Sequence, residues 1–207
     1  MWKITSWIRL AFSIYTVVRI RLRVSFIMDF MTDKNELIKR IKECESEYRF
    51  RHSCSIAEMA VSLAECHGID KDMVWVTAML HDIAKEYSPD EMYAVADRYG
   101  YTMSTLSLRY PDNMHAEIGA LIAEHEFGLR NRDALNAIKH HVSARPDMST
   151  LEKIIYFSDY AEPTRPNYAT MQYLYRIART NLDLAILRGL RIVLEYQMSH
   201  HLDRDIC

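Results

Sequence analysis

The spacing of apolar side chains predicts helices along most of the chain. Ile56, Met59, Ala60 and Leu63 recur at intervals of three and four residues, which is the period of one helix face. Strictly alternating apolar and polar runs, the pattern of a half-buried strand, are scarce. We therefore predict an all-α fold.

Short polar motifs mark the expected beginnings and ends of these helices. Asp33, Ser88 and Ser149 are each followed three positions later by a glutamate, which is the pattern of a capping box. Gly68 and Gly100 fit the position just after a helix. With 207 residues, 49% of them hydrophobic, and only five glycines and five prolines, the chain is expected to form a single helical bundle.

Polar residues interrupt several apolar runs. His81 and Asp82 lie in the stretch 74–85, which is predicted to be helical throughout, and Asp159 lies in another apolar run. Burying a carboxylate is costly unless a cation or hydrogen-bond donors compensate it. An isolated pair of this kind could also mark a helix end that reaches solvent, but His52 occupies a comparable upstream position. We expect these four side chains to bind a metal ion.

Two further histidines extend this set. His115 opens one predicted helix and His141 ends another, so both side chains are expected near a cleft. His140, which is adjacent to His141, stays open as an alternative ligand. One metal seldom needs six protein ligands, because a hydrolytic site keeps positions open for water and substrate. Two metal ions are the simpler interpretation.

The order of these residues resembles that of the HD-domain metal phosphohydrolases. The neighbouring sequence is similar to one branch of them, the YqeK-like bis(5'-nucleosyl)-tetraphosphatases of the symmetrical type. The resemblance covers roughly residues 45–197. The matching segments are Leu80–Lys85, His115–Ala120, Glu126–Gly128, Asn136–His141, Met148–Ser149 and Asp159–Pro163.

The resemblance implies a fold, an activity and a set of ligands. The fold is a single HD domain over residues 31–200, preceded by an atypical leader over residues 1–30. The activity is symmetrical cleavage of diadenosine tetraphosphate into two ADP molecules by water activated between two divalent or mixed-valence metal ions. These ions would be iron, with manganese, zinc or nickel as alternatives. In the HD pattern the metal ligands are His52, His81, Asp82, His115, His141 and Asp159, with Asp82 bridging the two ions.

Several side chains are expected to act on the substrate. Asp82 and Lys85 are predicted catalytic residues, and Lys85, one helical turn after His81, would also neutralise a phosphate. Arg145 and Arg165 are candidates for the distal phosphates, because a guanidinium fork matches phosphate oxygens. Each of these three basic residues could instead be an ordinary surface residue.

One segment departs from the pattern of the family. Two threonines and a glycine usually follow the position of His141, whereas this chain has Val142, Ser143 and Ala144. Ser143 is expected to retain part of the hydroxyl contact with substrate. The departure puts substrate preference and rate in doubt, so two alternatives stay open. One is another HD-domain nucleotide phosphatase or phosphodiesterase, and the other is a non-catalytic nucleotide-binding regulator.

The charge and the cysteine content limit which partners and which cellular compartment are expected. After residue 28 the chain carries 28 acidic and 21 basic residues, which argues against broad binding of nucleic acid. The four cysteines follow no secretory or metal-binding spacing and indicate reduced thiols in a cytoplasmic protein. A small-molecule nucleotide is the expected partner, and a homodimer is left open.

The leader differs in composition from the rest of the chain. It carries five basic residues and no acidic one within the first 28 positions. Its apolar run, Leu10 to Val18, is shorter than the roughly 20 residues that span a bilayer. It could be an artefact of an early start codon with Met28 or Met31 as the true start, a membrane-surface anchor, or a disordered tail. We favour the first interpretation and do not expect membrane contact.

Overall fold

The computed structural model describes residues 33–162 and 168–202, and within these ranges the regular elements are all helical, as predicted. None of the described helices is both long and apolar enough to cross a membrane. The predicted leader and Arg165 lie outside the described residues. The helices are α1 Lys34–Cys44, α2 Glu47–His67, α3 Lys71–Leu80, α4 Pro89–Arg98, α5 Thr105–Arg109, a 3-10 turn Pro111–Asn113, α6 Met114–His125, α7 Arg132–His140, α8 Thr150–Tyr160, α9 Tyr168–Ala178 and α10 Leu182–Leu202.

Local capping explains where several helices begin and end. Ser88 and Ser149 both form the predicted capping boxes with the glutamate three residues later. The Asp33 carboxylate accepts hydrogen bonds from the backbone N–H groups at the start of α1. Gly68 ends α2 with φ of 67°, a left-handed conformation that glycine adopts without steric cost. These boundaries are confirmed.

The helix α2 lies against α3 and α8, while α7 packs against α3, α6 and α8. Their facing sides form the core, in which Ile56, Leu63, Phe157 and Ile138 are fully buried. Burial of such aliphatic and aromatic side chains supplies most of the stabilisation of a bundle of this size. The arrangement brings the second turn of α2, the last turns of α3, α7 and α8, and the first turn of α6 to one place.

The helix over residues 74–85 is shorter than predicted. The helix α3 ends at Leu80, and residues 81–86 form turns instead. The backbone N–H of Lys85 donates to the carbonyl of Asp82, a bond across three residues in place of four. The sequence pattern gave no sign of this change, because residues 81–84 remain buried after the helix ends.

Candidate metal centre

The six predicted ligands come from five segments and meet at one place. Most of them lie at helix ends, where the backbone can direct neighbouring side chains into a shared cleft. The six are His52 in α2, His81 and Asp82 at the end of α3, His115 in the first turn of α6, His141 at the end of α7 and Asp159 near the end of α8.

The Asp82 carboxylate lies between two pairs of histidines. Its Oδ1 atom is 3.2 Å from His115 Nε2 and 3.3 Å from His141 Nε2. Its Oδ2 atom is 3.6 Å from Nε2 of both His52 and His81. Each carboxylate oxygen therefore faces a different pair of imidazole nitrogens, which is an arrangement that suits a bridging carboxylate.

The chemistry of these donor atoms fits a metal ion. Donor atoms of His52, His81 and Asp159 lie within 4.8 Å of one another, and so do those of His81, Asp82 and His141. Three of the buried atoms, His52 Nε2, His81 Nε2 and Asp82 Oδ1, have no hydrogen-bond partner among the described residues. Leaving buried polar atoms unpaired is costly, and a cation bound by them would remove that cost.

Backbone contacts fix the orientation of three of the imidazoles. In His81, His115 and His141 the Nδ1 atom lies 2.6 to 2.7 Å from the carbonyl oxygen three residues earlier. Because a carbonyl can only accept, Nδ1 is the donor in each case. The Nε2 lone pair of each ring is therefore left to face the centre, as is usual for histidines that bind metals.

The protonation of the cluster also suits metal binding. Burial lowers the pKa of His81 to about 4 and lowers that of His115 as well, so both rings are neutral near pH 7. Burial acts to raise the pKa of the Asp82 carboxyl, but the neighbouring histidines outweigh it and hold that pKa well below its usual range. His81 and His115 thus offer neutral imidazoles beside an ionised carboxylate. At His52 and His141 burial acts to lower the pKa, but the nearby carboxylates of Asp159 and Asp82 outweigh it and raise the pKa of both rings.

Two charged residues that the sequence reasoning missed complete the centre. Arg49 Nη1 donates to Asp82 Oδ2 at 2.7 Å, and Glu162 Oε2 lies 3.3 Å from His52 Nδ1. The position of Arg49, three residues before His52, places both on one side of α2 and was an available signal. Glu162 follows the end of α8, where periodicity says little about side-chain direction.

The predicted substrate residues differ in their surroundings. Lys85 Nζ lies 3.3 Å from His115 Nε2, at the edge of the centre. Arg145 donates from Nε and Nη2 to Glu152 at 2.8 and 2.9 Å, so the fork of its guanidinium is used within the protein. This geometry does not support the phosphate-binding role predicted for Arg145.

A small cavity is lined by residues that are adjacent in sequence to His115 and His141, among them Ala116 and His140. Ser143 lines this cavity of about 150 Å³, together with Leu106, Asn113 and Val142. His140 lines the same cavity and does not belong to the groups of donor atoms described above. The structure therefore gives more support to His141 as the ligand than to His140.

Two other histidines, His125 and His67, pack against residues from other parts of the fold. His125 stacks on the ring of Tyr99 with the ring centres 4.2 Å apart. His67 Nε2 lies 2.6 Å from the carbonyl oxygen of Ala178. Neither histidine belongs to the groups of donor atoms described above.

The chain is similar to known proteins over most of its length. Residues 49–164 match the family described as HD domain. The chain is 31% identical to a Bacillus subtilis (strain 168) protein named "Bis(5'-nucleosyl)-tetraphosphatase, symmetrical", over 81% of this chain and 89% of that protein. It is 37% identical to a protein of the same name from Staphylococcus aureus (strain NCTC 8325 / PS 47), over 63% and 67% respectively.

A solved structure is similar as well. It is the crystal structure of a protein described as a predicted HD superfamily hydrolase involved in NAD metabolism from Clostridium acetobutylicum. The TM-score is 0.74 at 27% sequence identity, with 82% of this chain and 89% of that chain covered. The resemblance noted from the sequence motifs is confirmed.

Proposed function

Because the chain belongs to the HD-domain family, we propose that it hydrolyses dinucleoside polyphosphates, cleaving diadenosine tetraphosphate symmetrically into two ADP molecules. The observation that carries the proposal is the Asp82 carboxylate between two histidine pairs, in a chain whose relatives carry the name of that activity. In the reaction, a water oxygen forms a bond to one of the two central phosphorus atoms. The bond from that phosphorus to the central bridging oxygen breaks, and the bridging oxygen leaves with the second ADP.

We propose that two cations occupy the centre. Asp82 would contribute one carboxylate oxygen to each cation, since each oxygen faces its own pair of imidazole nitrogens. The His52 and His81 side includes Asp159, whose Oδ1 lies 3.5 Å from His52 Nε2. His115 and His141 form the other side. When bound, such cations lower the pKa of water and stabilise negative charge on phosphoryl oxygens.

Other contacts within the chain orient the imidazole ligands and supply positive charge for the substrate phosphates. The backbone bonds to Nδ1 keep three imidazoles in one tautomer, and Glu162 does the same for His52. Lys85 is placed to neutralise phosphate charge beside His115. Ser143, which lines the cavity described above, is proposed to contact the nucleoside of the substrate.

The donor set leaves the identity of the metal open between several ions. Mixed imidazole and carboxylate ligands accept iron, manganese, zinc and nickel, and the resemblance favours iron. We propose a small-molecule nucleotide as the partner and the cytoplasm as the compartment. A homodimer stays an untested prediction.

Product identification tests this function directly. Purified protein with a measured metal content is incubated with diadenosine tetraphosphate, and the products are separated by anion-exchange chromatography. ADP as the sole nucleotide product is the expected result. AMP with ATP, or phosphate released from mononucleotides, would instead identify another HD-domain activity. Full metal occupancy without turnover of any nucleotide would identify a binding regulator.

A further inference from the structure

Two cationic side chains border the centre around Asp82. The Arg49 guanidinium contacts Oδ2, the oxygen that faces His52 and His81. The Lys85 ammonium lies beside His115, which contacts Oδ1. The two positive charges are therefore associated with different oxygens of the central carboxylate, Arg49 by direct contact with Oδ2 and Lys85 through the His115 ring that contacts Oδ1.

The Arg49 side chain has hydrogen-bonding capacity that its contact with Asp82 does not use. A guanidinium has five N–H donors, and the Nε atom of Arg49 is buried without a hydrogen-bond partner among the described residues. The side chain is 17% exposed, so it borders solvent at one edge. Cations held by Asp82 would compete with Arg49 for the same carboxylate oxygen and favour a different anion as its partner.

We propose that Arg49 binds phosphate, and that Arg49 and Lys85 hold the phosphates on opposite sides of the scissile bond. The proposal rests on the proposed function, because a tetraphosphate cleaved at its centre has two phosphates on each side. A guanidinium fork binds two phosphate oxygens at once, whereas an ammonium acts as a point charge. This pair of cations gives each half of a symmetrical substrate its own positive partner.

The placement of Arg49 on α2 supports this role. It lies in the first turn of the helix, three residues before His52, so the two side chains leave the same face. Arg51, two residues further on, lies on another face, is 75% exposed and pairs with Glu47. Arg51 is therefore a matched control for the loss of one arginine from this helix.

The test compares Arg49→Ala, Arg49→Lys and Arg51→Ala with the unaltered protein. All four proteins are loaded with metal, and metal content per chain, KM and kcat for diadenosine tetraphosphate, and the Kd for ADP are measured. Arg49→Ala is expected to raise KM and the ADP Kd by about tenfold to a hundredfold, which is the range for loss of charge-assisted hydrogen bonds. Metal content is expected to stay unchanged. Arg49→Lys should recover part of the affinity, and Arg51→Ala should match the unaltered protein.

Other outcomes would overturn the proposal. If Arg49→Ala loses metal, or lowers kcat while KM and the ADP Kd stay constant, Arg49 acts through Asp82 as a positioning residue and does not bind phosphate. If Arg49→Ala fails to fold, Arg49→Lys decides, because an ADP Kd equal to that of the unaltered protein shows that the fork is not used. The proposed function fails separately, when the unaltered protein produces no ADP from diadenosine tetraphosphate.

Discussion

At the scale of single residues, the Asp82 side chain is the one on which both halves of the proposed centre depend. Its two oxygens face different histidine pairs, so Asp82→Ala removes a ligand from both cations. We expect the variant to lose both metals and all measurable hydrolysis. The loss of metal affinity should exceed about 100-fold, since even residues that only orient a ligand contribute about 10- to 100-fold. Elemental analysis and ADP release measure the two effects.

A histidine outside the centre provides the control for this prediction. His125 stacks on Tyr99, and His125→Ala should leave metal content and turnover unchanged. An Asp82→Ala protein that retains two metal ions per chain would contradict the bridging assignment.

A second buried carboxylate, Glu45, makes the stability of the protein depend on pH. Glu45 is 8% exposed and accepts a hydrogen bond from the Ser53 hydroxyl. Burial raises its pKa from 4.5 to about 7, so the folded protein favours the neutral carboxyl. The stabilisation that this provides is complete below about pH 4.5 and is lost as the pH rises through about 7.

Glu45→Gln should therefore remove this loss, because glutamine is neutral at every pH. We expect the variant to be more stable than the unaltered protein at pH 8, by up to about 3 kcal/mol, and to differ little at pH 4.5. Urea denaturation of both proteins in the presence of a chelator measures the difference. Glu58→Gln changes an exposed glutamate of α2, the helix that carries Ser53, and is the control. An equal difference at both pH values would contradict the assignment.

At the scale of helices, the features that could be predicted are those that depend on residues close together in the sequence. The caps at Ser88 and Ser149 are local motifs, and both form. The end of α3 at Leu80 was missed, because residues 81–84 stay buried after the helix ends. The pairing of Arg49 with Asp82 was also missed, because it joins residues from different helices and depends on how they pack.

The contact between α8 and α10 is close enough to require glycine. Tyr160, the residue after Asp159, donates from its hydroxyl to the Gly189 carbonyl at 3.2 Å. A Cβ atom at position 189 would lie 2.7 Å from Tyr160 Cε1. Gly189→Ala should gain about 1 kcal/mol of helix propensity and lose about 1 to 3 kcal/mol to the overlap, for a net loss of stability in thermal unfolding.

The partner side chain separates these two effects. In a Tyr160→Ala background the overlap is absent, so adding Gly189→Ala should stabilise the protein by up to about 1 kcal/mol. Stabilisation by Gly189→Ala alone would show that the tyrosine ring moves aside without cost.

At the scale of the whole molecule, the proposed cations would join distant parts of the chain. The ligands extend from His52 to Asp159 and come from helices that also share the hydrophobic core. A metal ion that binds the folded chain and not the unfolded chain shifts the equilibrium toward the folded state. The centre should thus contribute to stability as well as to catalysis.

Removal of metal should therefore lower the melting temperature. A single ion at a free concentration 100 times its Kd stabilises a protein by about 2.7 kcal/mol, which corresponds to roughly 5 to 10 °C for a chain of this length. We expect calorimetry to show a fall of this size after treatment with a chelator and its recovery when metal is restored. Asp82→Ala should show neither change. If the unaltered protein keeps its melting temperature after elemental analysis shows that the metal is gone, the six side chains are held together by the helices alone, and metal binding adds nothing to the stability of the fold.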